Sequence, residues 1–105
     1  MITLNKAQTK FLRKYSHNLK PLFQMGKLGL TDVFIEQVEN AIEKRELIKF
    51  VILQNSDEDL DDVANKIADE IGGVIIQTIG STAILYRPST KEKYQEISQQ
   101  VNRLS

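Results

Sequence analysis

The sequence has no cysteine and no tryptophan, and only two prolines and five glycines among its 105 residues. Without cysteine there can be no disulfide, no thiolate zinc site and no thiol nucleophile. Apolar runs such as residues 51–53 and 74–76 fall far short of a membrane span, so no membrane partner is expected. Residues 1–10 hold no apolar signal-type segment, which points to a cytoplasmic location. No Pro/Gly/Ser-rich linker, low-complexity tract or internal repeat interrupts the chain, and a single domain over residues 1–105 is expected. Acid is also missing from one long stretch: residues 1–31 contain no Asp or Glu.

What is present fits a folded protein. A chain that is 41% hydrophobic and 27% charged is too apolar to be disordered. The formal net charge of zero hides a strong asymmetry. Lys6, Lys10, Arg13, Lys14, Lys20 and Lys27 give residues 1–31 a local charge of +6. Asp57, Glu58, Asp59, Asp61, Asp62, Asp69 and Glu70, against Lys66, give residues 57–70 a local charge of −6. A partner responds to the nearest face rather than to the total, so a polyanion would meet a basic surface on the first third of the chain.

Apolar spacing predicts the elements. Leu4, Ala7, Phe11, Leu12 and Tyr15 form one stripe of a helix over residues 3–18, with Lys6, Lys10, Arg13, His17 and Lys20 opposite and Lys14 beside them. Pro21 ends it, and residues 22–25 form a short strand running into Gly26-Lys27-Leu28-Gly29. Thr31 caps a second helix with Asp32 in its first turn, Lys44 and Arg45 in its last, and Phe34, Val38, Ala41 and Ile42 inward. Residues 47–53 form a central strand broken only by Lys49. A third helix over 57–71 stops at Gly72-Gly73; a hairpin turns at Gly80-Ser81; and Tyr94, Ile97, Val101 and Leu104 mark a last helix. The order α-β-α-β-α-β-β-α predicts an α/β layered domain with a mixed four-stranded sheet. Its two strand-helix-strand units favour parallel pairing, and its hairpin is antiparallel.

Little in the sequence suggests catalysis. His17 stands alone on a basic face without a carboxylate partner nearby in sequence. The run 57–62 resembles a calcium loop in its acids. However, Asp62 occupies the position that needs glycine and Ala68 the one that needs glutamate. Acids in a first helical turn need no further explanation. No catalytic residue, metal site or cofactor is expected.

The Gly26-Lys27-Leu28-Gly29 loop is the more informative feature. Two glycines let a backbone approach a phosphate, the helix start at Thr31 directs N–H groups to the same place, and Lys27 adds a charge. A Gly-x-x-Gly loop is also how KH modules hold a nucleic-acid backbone. A strand-to-helix turn uses glycine for conformational reasons at least as often, so the loop alone leaves both readings open. The acid-free basic helix beside it favours RNA. Tyr15 and Phe23 are the aromatics near the patch, and core packing is the better expectation for both.

Four segments carry a family resemblance: 17–21 (HNLKP), 25–31 (MGKLGLT), 45–50 (RELIKF), and 77–80 (QTIG) running on to 85–88 (LYRP). In this order and spacing they resemble the YhbY family, the bacterial stand-alone CRM domain, over roughly residues 2–90. The resemblance implies an RNA-binding domain related to the C-terminal domain of translation initiation factor three. It further implies association with precursors of the large ribosomal subunit. It assigns RNA contact to Gly26, Lys27, Leu28 and Gly29, with a mainly structural role for the 45–50 segment.

The reading that results is a non-catalytic RNA-binding protein, expected to act as a monomer on ribosomal RNA of precursor large subunits. Its expected contacts are Gly26, Lys27, Leu28, Gly29 and Thr31, together with Lys6, Lys10, Arg13, Lys14 and Lys20. Lys44, Arg45, Lys49 and Arg87 are further candidates. The alternative is a protein-interaction module whose acidic helix, residues 57–70, docks a basic ribosomal protein.

Overall fold

A computed structural model describes residues 2–25, 30–52 and 59–105 of the chain. The first helix, α1 (Lys6–Ser16), starts later than its apolar spacing predicts, because Asn5 caps it. Asn5 Oδ1 accepts the Gln8 backbone N–H at 2.7 Å, and Gln8 Oε1 accepts that of Asn5 at 2.9 Å. This reciprocal pair satisfies two donors that a helix start leaves free. The buried line of α1 is Gln8, Leu12 and Ser16, with Phe11 and Tyr15 half-buried; Ala7, expected inward, is exposed. Gln8 is buried at little cost because its Nε2 donates to the Val101 carbonyl at 3.0 Å.

The strand β1 (Phe23–Met25) precedes α2 (Asp32–Arg45), whose cap is the expected one: Thr31 Oγ1 accepts the Phe34 N–H at 3.1 Å. Phe34, Val38 and Ile42 form its buried line. The helix ends at Glu46, a non-glycine residue in the left-handed region at φ 66°. β2 (Leu47–Ile52) follows at once. In α3 (Leu60–Ile71), residue 59 is the N-cap; residues 57 and 58, where the sequence places the helix start, lie outside the described residues. Val63, Ala64, Ile67, Ala68 and Ile71 of α3 point inward as their spacing requires.

Gly72 closes α3 at φ 71°, and at Gly73 a Cβ would stand 3.0 Å from the Tyr86 carbonyl oxygen, so a side chain there would press on the β4 backbone. The hairpin of β3 (Val74–Ile79) and β4 (Thr82–Tyr86) then forms. A 3-10 turn at Glu92–Tyr94 leads into α4 (Glu96–Asn102), which buries Ile97 and Val101 but leaves Leu104 beyond its end and exposed. Among the described residues, no helix is long and apolar enough to cross a membrane.

The sheet is mixed and four-stranded, in the order β1-β2-β4-β3. β1 and β2 pair in parallel, as the first strand-helix-strand unit predicts. The second unit differs from expectation. β4 lies between β2 and β3 and is antiparallel to both, so those two strands run in the same direction without touching. An antiparallel hairpin can place its return strand on either side of β3, and here that strand takes the β2 edge.

Alternation along β2 divides the core. Ile48, Phe50 and Ile52 join Phe34, Val38, Ile42 and the inward residues of α3 on one face. Leu47 joins Leu12, Ile84, Tyr86, Ile97 and Val101 on the other. The sheet is therefore sandwiched between α2 with α3 and α1 with α4. Each fully buried large side chain in these layers contributes about 2 kcal/mol of hydrophobic stabilisation.

Candidate nucleic-acid interface

Because α1 buries Gln8, Leu12 and Ser16, its pitch turns Lys6, Lys10, Arg13 and Lys14 to solvent, and all four are exposed. His17 and Lys20, just beyond the helix, are exposed as well. Among the described residues the only ion pairs are those of Arg87, so no described carboxylate neutralises the α1 cations. Lys49 lies between Ile48 and Phe50 on β2 and therefore takes the α1 side of the sheet, where it is half-buried. It brings one more cation to that layer.

Lys44 and Arg45 belong elsewhere. They are exposed at the C-terminal end of α2, where positive charge also favours the helix dipole. Arg87 is enclosed rather than presented. Its Nη2 donates to Glu43 Oε1 at 2.8 Å, its Nη1 donates to the Ile71 carbonyl at 3.2 Å and lies 3.9 Å from Glu39, and its side chain is 14% exposed. The Thr90 hydroxyl and backbone N–H both donate to the Glu43 carboxylate. These two bonds, with the Arg87 charge after them, hold the Glu43 carboxyl below its ordinary range. Arg87 thus ties α2 to the ends of α3 and β4.

The Gly26, Lys27, Leu28 and Gly29 loop lies outside the described residues. Its flanks are Met25, buried at the end of β1, and Leu30, half-buried before the Thr31 cap. Thr31 Oγ1 is already occupied by the Phe34 N–H.

The charges of α2 are sorted by side, which the sequence reading missed. Asp32, Glu36, Glu39 and Glu43 recur at spacings of four, three and four, and so form one stripe. Val33, Gln37, Asn40 and Lys44 repeat the same spacing one residue later and form another, about 100° around the helix. Each stripe borders a groove. On the acidic side, a cavity of about 350 Å³ toward α3 is lined by Asp32, Glu36, Glu39 and Glu70, with Lys66 the one cation among its described residues. On the other side, a cavity of about 400 Å³ toward β1 is lined by Leu22, Phe23, Gln37, Asn40, Lys44 and Arg45. No carboxylate is among the described residues lining the second groove.

The chain matches the family model of the CRS1 / YhbY (CRM) domain over residues 4–87. It belongs to that family. It is 44% identical over 94 residues to "Probable RNA-binding protein YqeI" of Bacillus subtilis (strain 168), covering 90% of this chain and 98% of the relative. It is 37% identical over 95 residues to a protein of Haemophilus influenzae named "RNA-binding protein", covering 90% and 96%. The solution structure of the hypothetical protein SAV1595 from Staphylococcus aureus superposes with a TM-score of 0.74 at 36% identity, covering 90% of this chain and 98% of that one.

The CRM match ends before α4, yet the fold does not treat that helix as an appendage. Asn5 Nδ2 donates to the Leu104 carbonyl at 2.9 Å, and Gln8 reaches Val101, so the start of α1 and the end of α4 are joined directly. A helix outside the matched residues therefore helps to hold α1 in place, with its basic face outward.

Proposed function

We propose that this CRM-family chain is a non-catalytic RNA-binding factor that contacts ribosomal RNA in precursors of the large ribosomal subunit. Residues 1–105 would act as one unit, as a monomer in the cytoplasm. The observation that carries the reading is the exposed cationic face of α1, free of ion pairs among the described residues and set in a stretch with no carboxylate from residue 1 to residue 31. A solvated face ordinarily mixes signs. The RNA-binding names of the Bacillus and Haemophilus relatives support the same partner. In this reading Lys6, Lys10, Arg13, Lys14 and Lys20 attract the polyanion over distance. The Gly26-Lys27-Leu28-Gly29 loop and the N-terminal end of α2 hold a phosphate.

The alternative reading has the acidic helix of residues 57–70 dock a basic ribosomal protein; the groove that α3 shares with α2, lined by Glu70 with Asp32, Glu36 and Glu39, favours it. It is subordinate, because a row of acids on an exposed helix face is ordinarily only solvated.

Salt titration tests the polyanion reading. Each phosphate neutralised on a single strand contributes about 0.7 to the log–log slope, so four to six engaged cations give a slope of roughly −3 to −4. A flat titration overturns it. Sedimentation tests the assembly role: loss of the protein should make particles lighter than the mature large subunit accumulate. Profiles indistinguishable from the parent strain at normal and low temperature refute that role and leave RNA binding standing.

A further inference from the structure

The geometry points to a base-binding subsite in the groove between β1 and α2: an unpaired RNA base enters it, hydrogen-bonded by Gln37 and Asn40, with its phosphate held by Lys44 and Arg45. The inference rests on the RNA-binding reading above and adds to it a specific place and a preference for single strands.

The argument begins with what the groove is made of. Its volume of about 400 Å³ is within the range of small-molecule sites, roughly 300–1,000 Å³. Leu22, 41% exposed just before β1, and Phe23, half-buried on that edge strand, give it an apolar wall. Gln37 and Asn40 are exposed and sit three residues apart on one helix face, and their side chains make no hydrogen bond to any described residue. Each carries a donor and an acceptor side by side, the pattern that matches the edge of a base. Lys44 lies one further turn along the same stripe, and Arg45 follows it. Apolar wall, paired amides and flanking cations correspond to the apolar face, polar edge and phosphate of one nucleotide.

Charge selects this groove over its neighbour. The groove across α2 is of similar size, but Asp32, Glu36, Glu39 and Glu70 line it and would repel a phosphate. The 32/36/39/43 and 33/37/40/44 stripes thus make α2 a divide, with RNA admitted on one side only. A duplex is a poor occupant, since its bases are stacked and paired; a base splayed out of a loop or single strand presents the edge and face that the groove offers. A protein strand is disfavoured as well, because β1 has only three residues to pair with it.

The test measures affinity at one fixed salt concentration for short adenine and uracil oligoribonucleotides, an abasic strand of the same length, and a duplex. The intact protein should bind at least one base-bearing strand about tenfold more tightly than the abasic strand, the scale of one stacked or doubly hydrogen-bonded base. The Gln37→Ala/Asn40→Ala variant should erase that ratio while keeping the abasic and duplex affinities. Both positions are exposed on a helix, so its thermal melt should match the parent. Lys6→Ala/Lys10→Ala should weaken all strands alike and keep the ratio, and Glu36→Gln/Glu70→Gln should leave it unchanged. Equal affinity of the intact protein for base-bearing and abasic strands overturns the subsite, and so does a ratio that survives in the amide variant. Those results leave RNA binding intact, whereas an intact protein that binds none of the strands refutes the RNA reading itself.

Discussion

The carboxylate of Glu46 accepts the backbone N–H of Ile97 at 3.0 Å, across fifty-one residues of sequence. The same carboxylate takes the N–H of Ser98 at 3.0 Å and that of Ser89 at 2.7 Å, and Glu46 is wholly buried. Its backbone serves too: its N–H closes α2 on the Ile42 carbonyl, and its own carbonyl receives the Arg87 N–H at 2.9 Å. One residue therefore ends α2, starts α4 and fixes the chain leaving β4.

Replacing Glu46 should accordingly unfold the protein more readily than replacing any exposed acid. Glu46→Ala leaves three buried N–H donors unanswered and should cost about 3 kcal/mol or more. Glu46→Gly loses the same bonds but relieves a non-glycine φ of 66°, so it should be less harmful than alanine by about 1 kcal/mol. Urea unfolding of the two variants checks both the size and the order. Alanine proving the milder change would show that the backbone there carries no strain.

The alkaline limb of stability should report on Tyr86. Burial, with the nearby Glu46 charge second, pushes its phenol from 10.0 up to about 12. The folded state then keeps a proton that the unfolded chain releases. This contribution is complete below pH 10 and is lost as pH rises from about 10 to about 12. Tyr86→Phe should flatten the fall in stability over that window. A variant whose unfolding free energy declines as steeply as the parent's would show that other groups govern the limb.

At the acid end Glu43 acts in the opposite sense. Its carboxyl is lowered from 4.5 by the two Thr90 bonds and then by Arg87, so its contribution is present above that value. It is lost as pH falls through the lowered folded value. Glu43→Gln should be less stable than the parent at neutral pH, and the gap should close as pH falls below 4.5. Denaturation midpoints at several pH values decide it: a gap independent of pH would assign the loss to packing rather than charge.

These sites also show what one dimension of sequence reveals. The pattern of spacing, cap and turn residues places α2, its Thr31 cap and the β3–β4 hairpin, because local propensity and burial agree there. It could not place β4 beside β2, since strand order is set by which edge the hairpin joins. Nor could it show that Gln8 is buried in place of Ala7, because the carbonyl that makes this cheap belongs to Val101. Glu46 lies in the 45–50 segment to which the family resemblance gives a mainly structural role, but nothing in the spacing names its three partners, which are forty or more residues away. The two stripes of α2 were legible in the spacing, but only a search for polar residues of one kind per side would have found them. Of the candidate contacts, the α1 cations stand exposed, whereas Arg87 is held by Glu43 and Glu39.

The division of labour between helix and loop can be measured by charge reversal. Lys6→Glu/Lys10→Glu/Arg13→Glu changes only exposed positions of α1, so stability should stay within about half a kcal/mol per site. Removing three phosphate contacts should reduce the salt slope by about 2 and weaken binding to all sequences alike. Lys27→Asp/Leu28→Asp removes only one cation but puts two anions where the loop would meet a phosphate. It should therefore cost more affinity than its small change in slope implies. Asp62→Lys/Asp69→Lys, exposed on α3 on the other side of the sheet, is the control and should hold or slightly raise affinity. Each variant needs a thermal melt and RNA titrations at several salt concentrations. If the loop variant melts and binds like the parent while the α1 variant fails, the glycines serve only a turn and α1, not the loop, carries the RNA.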